Sequence, residues 1–254
     1  MSKSAPVVSF SIFKPYPRLV CGVSTKALGD MAVKYSSPAV VAANRRRLAK
    51  MLGILPNRLF EAEQVHGTRV VVLDNKNIKR YEKSRVVPRC DGLITNLKDV
   101  FLLVKTADCL PILIFDPVNE VVAAVHSGWR GTIGKIFWLA ILKMNRFVGS
   151  QAKDLLVAVG PAVRSCCFVH PTLIQSKLPE WQPFVKEEDG QKKVDLTAFV
   201  CFELAQAGVK RENIEVVEDC TVCGARWFSH FASLRGAKQK RGFFASVIGM
   251  RGER

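Results

Sequence analysis

Residues 106–132 read TADCLPILIFDPVNEVVAAVHSGWRGT, two apolar runs broken by a single turn signal. In Asp116-Pro117-Val118-Asn119 the proline presets the second turn position, and the flanking Asp and Asn can bond the local backbone. The runs over 111–115 and 120–125 therefore predict the two strands of an antiparallel hairpin. With Asp116 opposite Asn119, Cys109 falls opposite His126. Opposed residues share a face with Cβ atoms ~4.5–5.5 Å apart, close enough for a thiol and an imidazole to share a proton or a metal ion.

Outward from the hairpin, β-type runs occur at 69–73, 93–95, 100–104, 155–159 and 244–248. Helical patterns occupy 132–147 and 197–206. Ser36-Ser37-Pro38 opens a further helix with a hydroxyl cap and a first-turn proline, and that pattern runs to Gly53. Hairpin strands with helices interspersed predict an α+β fold with mixed, largely antiparallel sheets and flanking helices. No Pro/Gly/Ser-rich linker and no repeat divides residues 1–254, so a single globular domain is expected. Neither a GxGxxG stretch nor a P-loop is present.

Apolar residues make up 48% of the 254, ample for a core. The start, MSKSAPVVSFSIF, has no apolar run long enough for a signal h-region, and no segment reaches the ~18 apolar residues of a membrane span. A cytoplasmic protein with no membrane partner is expected. The eight cysteines are spread over the chain, with Cys166 and Cys167 adjacent, and read as reduced thiols. The net charge of +16 sits in short scattered groups such as Arg45–Arg47 and Lys238–Arg241, with no binding module around them. This favours a solvated basic surface or an anionic small substrate over specific nucleic-acid recognition. The expected assembly is a monomer.

Several residues carry chemistry. Arg45 lies on the apolar stripe of the first helix with Val41, Leu48 and Leu52. Its guanidinium can snorkel at the edge of that stripe or meet a bound anion. The Ser127-Gly128-Trp129-Arg130-Gly131-Thr132 loop leaves a strand and opens a helix, its free N–H groups and Arg130 favouring an anion. Gln64-Val65-His66-Gly67-Thr68 precedes a strand. His66, Cys109 and His126 together form two imidazoles and a thiolate with a fourth position open, a catalytic zinc shell. Cys220-Thr221-Val222-Cys223 is a CxxC without a partner pair, from which no structural zinc is expected, and His170 reads as a structural or surface residue.

These residues resemble the YfiH/YlmD-like laccase-domain proteins. The matching segments are Asn44-Arg45-Arg46-Arg47-Leu48, Gln64-Val65-His66-Gly67-Thr68, Cys90-Asp91-Gly92-Leu93-Ile94-Thr95, the Thr106–Ile112 and Ala124–Thr132 stretches, Gly160-Pro161 with Cys166-Cys167, and Asp219-Cys220-Thr221. They come in the family's order. The resemblance implies the family's fold and a zinc-dependent purine nucleoside phosphorylase acting on adenosine, inosine, guanosine and methylthioadenosine, with adenosine deaminase activity. It implies His66, Cys109 and His126 as catalytic metal ligands, and Asn44 and Arg45 as phosphate-binding, a role Arg130 is expected to share. It also raises the anion reading of Arg45 above the snorkelling one. The family's pattern is not matched at 29–35 or cleanly at 228–235, so His230 and Arg235 receive no role.

Two rival functions remain. Cys109 as nucleophile with His126 as base would make a cysteine hydrolase, of a kind that edits cell-wall precursors. Thiolate and imidazole also suit copper and a polyphenol oxidoreductase. A second histidine favours a metal over a Cys–His dyad, and four histidines in the whole chain are too few for a multicopper centre.

Overall fold

The turn of the hairpin is wider than its sequence suggests. In the computed structural model, which describes residues 5–169, 173–188, 190–236 and 240–253, Asp116 pairs with Val121 and Pro111 with His126. The loop therefore spans residues 117–120, and Glu120 takes a left-handed φ of 51° to close it. Asp116 holds it: Oδ1 accepts the N–H of Val118 at 2.9 Å and of Asn119 at 3.1 Å, while Oδ2 accepts from the Asn119 amide at 2.8 Å. Cys109 is thus diagonal to His126 rather than opposite it. The slip is by two places, so the pleat still turns both toward one face, where a one-residue slip would have separated them.

The strands are β1 (Val7–Val8), β2 (Leu19–Ser24), β3 (Leu59–Ala62), β4 (Val70–Leu73), β5 (Val86–Val87), β6 (Gly92–Thr95), β7 (Val100–Thr106), β8 (Leu110–Asp116), β9 (Val121–Ser127), β10 (Leu156–Val159), β11 (Val185–Glu188), β12 (Gln191–Val194), β13 (Ile214–Val216) and β14 (Phe244–Met250). The helices are α1 (Pro38–Leu52), α2 (Trp129–Ile133), α3 (Ile136–Val148), α4 (Leu196–Gln206) and α5 (His230–Leu234). One sheet runs β1-β2-β14-β7-β3-β5 and a second β13-β10-β8-β9-β6-β4. Both are antiparallel at the centre and parallel toward one or both edges, as mixed sheets of an α+β fold. β11 and β12 form a separate ribbon.

Strand alternation builds the layers. Leu113, Phe115, Val122 and Ala124 face the first sheet, meeting Phe60, Leu102, Val104 and Ile248 in a core between the sheets. Their neighbours Ile112, Ile114, Ala123 and Val125 face the other way, onto Phe137, Ile141 and Met144 of α3 and Phe199 and Leu204 of α4. On the far side, Phe101, Leu103 and Val247 pack on Leu48 and Ala49 of α1. The order is helix, sheet, sheet, helix. Strands buried on both faces read as continuous apolar runs, which is why 110–125 looks uniformly hydrophobic.

α1 obeys its sequence signals: Ser37 Oγ accepts the Val40 N–H, and Gly53 ends the helix at φ 64°. The expected helix over 132–147 is instead two helices, α2 and α3. Gly134 passes so close to the 64–68 loop that a Cβ there would lie 2.5 Å from Thr68 Cγ2. Lys135, at φ 51°, then restarts the chain in a new direction. His170 and part of the Lys238–Arg241 group lie outside the described residues. Among the described residues no helix is long and apolar enough to cross a membrane.

Candidate active site

Four chain segments reach the same end of the second sheet. Cys109 precedes β8, His126 is near the end of β9, Asp91 immediately precedes β6, and the 64–68 loop leads into β4. There the ligand atoms of His66, Cys109 and His126 all lie within 4.8 Å of one another. The two imidazoles meet edge to face with centroids 4.7 Å apart. The pair inferred from the hairpin and the histidine inferred from the upstream loop are therefore brought together.

Asp91 organises them. Its carboxylate accepts backbone N–H bonds from Val65 at 3.3 Å, His66 at 2.9 Å and Gly67 at 2.8 Å, an anion nest that holds His66 at φ 59°. Oδ1 also lies 2.8 Å from His126 Nδ1, which leaves Nε2 of that ring, only 2% exposed, for the site. Burial works against the charge on Asp91, but the His126 hydrogen bond and the backbone donors outweigh it and hold the carboxyl below its usual range.

The thiol and the imidazole charge one another. Burial pushes Cys109 up, yet His126 and His66 overcome it and bring the thiol down to about 6. Burial likewise opposes charge on His126, and Cys109 with Asp91 raises it to about 9. Without a metal, each of the two favours the charged form of the other. Gly128 clears the space above them, since a Cβ there would lie 3.1 Å from His66 Cδ2, 3.3 Å from Cys109 Sγ and 3.5 Å from His126 Cε1.

Cys109 is aimed by the residue before it. Asp108 adopts φ 103°, a conformation unfavourable for a side-chain-bearing residue, and a set of hydrogen bonds holds it there. Its carboxylate accepts from Thr221 Oγ1 at 2.6 Å and from the Phe231 N–H at 2.8 Å, and its carbonyl accepts the Val163 N–H at 2.8 Å. A further bond comes from Ser229. Gln64 is fixed by two hydrogen bonds to β7, donating to Lys105 O at 2.6 Å and accepting its N–H at 2.8 Å.

The residues expected to bind an anion have protein partners of their own. The Arg45 guanidinium forms a two-pronged pair with Glu61, at 3.2 and 2.8 Å, and donates to Met31 O at 3.2 and 2.8 Å. Lys105 shares the same carboxylate at 2.6 Å. One Nη1 hydrogen of the five remains outside these bonds, so protein groups hold most of the guanidinium. Asn44 is 5% exposed and ties α1 to the preceding loop, donating to Asp30 O at 2.7 Å and accepting from Arg47 at 2.6 Å. Arg130 is exposed on α2, its guanidinium stacked 4.1 Å from the Trp129 ring. His230 is exposed at the start of α5, and Arg235 donates to Cys167 O at 3.0 Å. A groove of about 540 Å³ between β4 and α3 is bordered by Thr68, Arg69, Lys143 and Arg146, and none of the three ligands lines it.

Asp91 and Asp108 received no role from the sequence. The available signal was an acid set against a glycine or cysteine at the mouth of an apolar strand, where burial demands a partner. The cysteine reading needs a larger correction: Cys220–Cys223 does have a partner pair, Cys166–Cys167, lying against it. All the described cysteines are free thiols, as expected.

A four-layer α+β fold with a His, Cys, His group at one sheet end, able to hold a metal ion, defines a class of proteins. The chain belongs to the laccase-domain family described as multi-copper polyphenol oxidoreductase laccase, which matches residues 20–251. It is 31% identical over 258 residues to the purine nucleoside phosphorylase YlmD of Geobacillus stearothermophilus, covering 94% of this chain and 93% of the relative. A purine nucleoside phosphorylase of Mycobacterium tuberculosis is 34% identical over 215 residues, covering 84% and 80%. The crystal structure of Bacillus licheniformis YfiH superposes with a TM-score of 0.84 at 25% identity, covering 98% of both chains.

Proposed function

We propose that this protein is a monomeric cytoplasmic enzyme that cleaves purine nucleosides with phosphate and also deaminates adenosine, using zinc held by His66, Cys109 and His126. The observation that carries the reading is the convergence of those three ligands around an imidazole already oriented by Asp91. Two imidazoles and one thiolate fit zinc, and they leave a protein-free position for substrate. Zinc bound there supplies a Lewis acid. The relatives named as purine nucleoside phosphorylases support the substrate class.

The chain's own groups do the rest. In phosphorolysis a phosphate oxygen bonds to C1′ of the ribose as the C–N bond breaks and the base departs with a proton. Asp91 keeps His126 Nε2 directed into the site, and Cys109 stays ionised to balance positive charge beside it. Arg130 is the more available phosphate contact, because Arg45 would first have to share its guanidinium with Glu61. In deamination water replaces the amino group at C6 and ammonia leaves. The copper oxidoreductase reading is weaker: the chain has four histidines and two of them are in this trio.

A second reading has its own observation. Asp91, His126 and Cys109 are ordered as orienter, base and nucleophile, the arrangement of a cysteine hydrolase. The two are separated by incubating the protein with inosine and adenosine, with and without phosphate, before and after chelation. Expected are phosphate-dependent release of hypoxanthine and adenine, ammonia from adenosine, and loss of both on chelation. Phosphate-independent base release, or no nucleoside turnover together with chelator-resistant amide hydrolysis that needs Cys109, would overturn the proposal.

A further inference from the structure

Outside the active site, β10 and β13 run parallel as neighbours, and the loops that leave them stay side by side. Ala162 bridges to Cys220, and the Thr221 N–H donates to Ala162 O at 3.0 Å. One loop carries Cys166-Cys167 and the other Cys220-Thr221-Val222-Cys223-Gly224. We propose that Cys166, Cys167, Cys220 and Cys223 form a second metal site, a closed tetrathiolate centre for zinc whose role is structural.

The sulfur geometry is that of a coordination shell. All four Sγ atoms lie within 4.8 Å of one another. Cys166 and Cys167 are 3.8 Å apart, Cys166 and Cys223 3.7 Å, and Cys167 and Cys223 3.3 Å. Four sulfurs at ~2.3 Å from a tetrahedral zinc are ~3.8 Å from each other, whereas a disulfide needs ~2.05 Å. All four are free thiols.

The backbone around Cys220 is shaped for a thiolate. The Cys220 sulfur accepts N–H bonds from Arg164, Val222 and Cys223, so donors from both loops converge on one ligand. The Gly224 N–H closes the turn onto Cys220 O at 2.8 Å, and a Cβ at Gly224 would lie 2.8 Å from that same oxygen, so the turn requires glycine. Cys167 is 8% exposed while Cys166 and Cys223 reach the surface, which gives a metal ion a way in. Four soft ligands select zinc over hard cations and leave no open position for substrate.

The centre also has something to brace. Thr221, between the cysteines of the CxxC, bonds Asp108 Oδ1, and Arg235 bonds Cys167 O. With the Val163 N–H bonded to Asp108 O at 2.8 Å, both loops connect to the strained residue that aims Cys109. Holding them together holds the active-site thiolate in place.

The test is elemental analysis of the full chain purified from zinc-containing medium, with Cys220→Ser/Cys223→Ser and His66→Ala/His126→Ala variants beside it. Two zinc ions per wild-type chain and one in each double variant are expected. Cobalt substitution of the His66→Ala/His126→Ala chain should give sulfur-to-cobalt charge-transfer bands of a tetrathiolate. In case the cysteine variant does not fold, alkylation of the wild type followed by peptide mass analysis gives a second readout. The four cysteines should resist reagent together and become reactive together when a chelator is added. One zinc in the wild type and in Cys220→Ser/Cys223→Ser alike, four cysteines that alkylate independently of chelator, or a disulfide among them would overturn the proposal.

Discussion

His126 Nδ1 and Asp91 Oδ1 are 2.8 Å apart, both side chains buried, and the same carboxylate gathers the backbone of the loop that presents His66. One acid therefore sets the orientation of two ligands, one on a strand and one on a loop. In Asp91→Asn the amide cannot accept the same bonds, and the His126 ring loses its fixed tautomer. Metal affinity is expected to fall by ~10–100-fold, the range for partners behind a ligand. Competition against a chelator of known affinity measures it; an unchanged constant would remove Asp91 from this role.

Cys109 should ionise well below an ordinary thiol. In chelator-treated protein its alkylation rate is expected to rise with a midpoint near pH 6, following the value to which the two histidines bring it against burial. Because the thiolate is the metal ligand, bound metal holds it ionised further down, and metal should be released by acid only below that midpoint. His126→Ala removes the largest opposing charge and should move the alkylation midpoint upward. A midpoint that stays the same in that variant would show the thiolate owes nothing to His126.

The hairpin carried most of what was legible. Two apolar runs and a proline turn located β8 and β9, and the even spacing of Cys109 and Pro111 meant that a two-place error in register still put the thiol on the histidine's face. The turn width was not legible, because it depends on Glu120 entering left-handed space and on Asp116 bonding three groups at once. Arg45 was correctly seen as an inward-facing charge in need of a partner. That partner, Glu61, lies on a strand whose Leu59–Ala62 run gave no alternation to betray it. The cysteine pairs were separated by the whole of β11, β12 and α4, and only the parallel pairing of β10 with β13 unites them.

Glu61 makes stability depend on pH in one direction. Burial opposes its charge, but Lys105 and Arg45 outweigh burial and hold the carboxyl below 4.5. A group lowered on folding contributes stability that is fully present above its unfolded value and lost as pH falls through the folded one. Glu61→Gln leaves two cations without their carboxylate and should cost about 1–3 kcal/mol near pH 7, less than a fully buried pair because the site is partly exposed. Denaturant titrations of wild type and variant should converge as pH drops below 4.5, and a gap that is constant with pH would assign the loss to packing.

Gly128 separates the demands of the site from those of the fold. Its φ of −72° suits any residue, so Gly128→Ala strains no backbone. Its new methyl would nonetheless crowd two of the ligands, at 3.1 Å from His66 and 3.3 Å from Cys109, and touch His126 at 3.5 Å. His66 and Cys109 can each yield by a few tenths of an ångström, but in yielding they move off the centre they share with His126. Metal affinity at the trio should fall about tenfold, or 1.4 kcal/mol, while the Tm of the chelator-treated protein stays within about 2 °C of wild type. Such a split, metal binding weakened and the apo fold intact, follows only if the three side chains bind one ion. A matching loss of apo stability would show instead that Gly128 is there for packing.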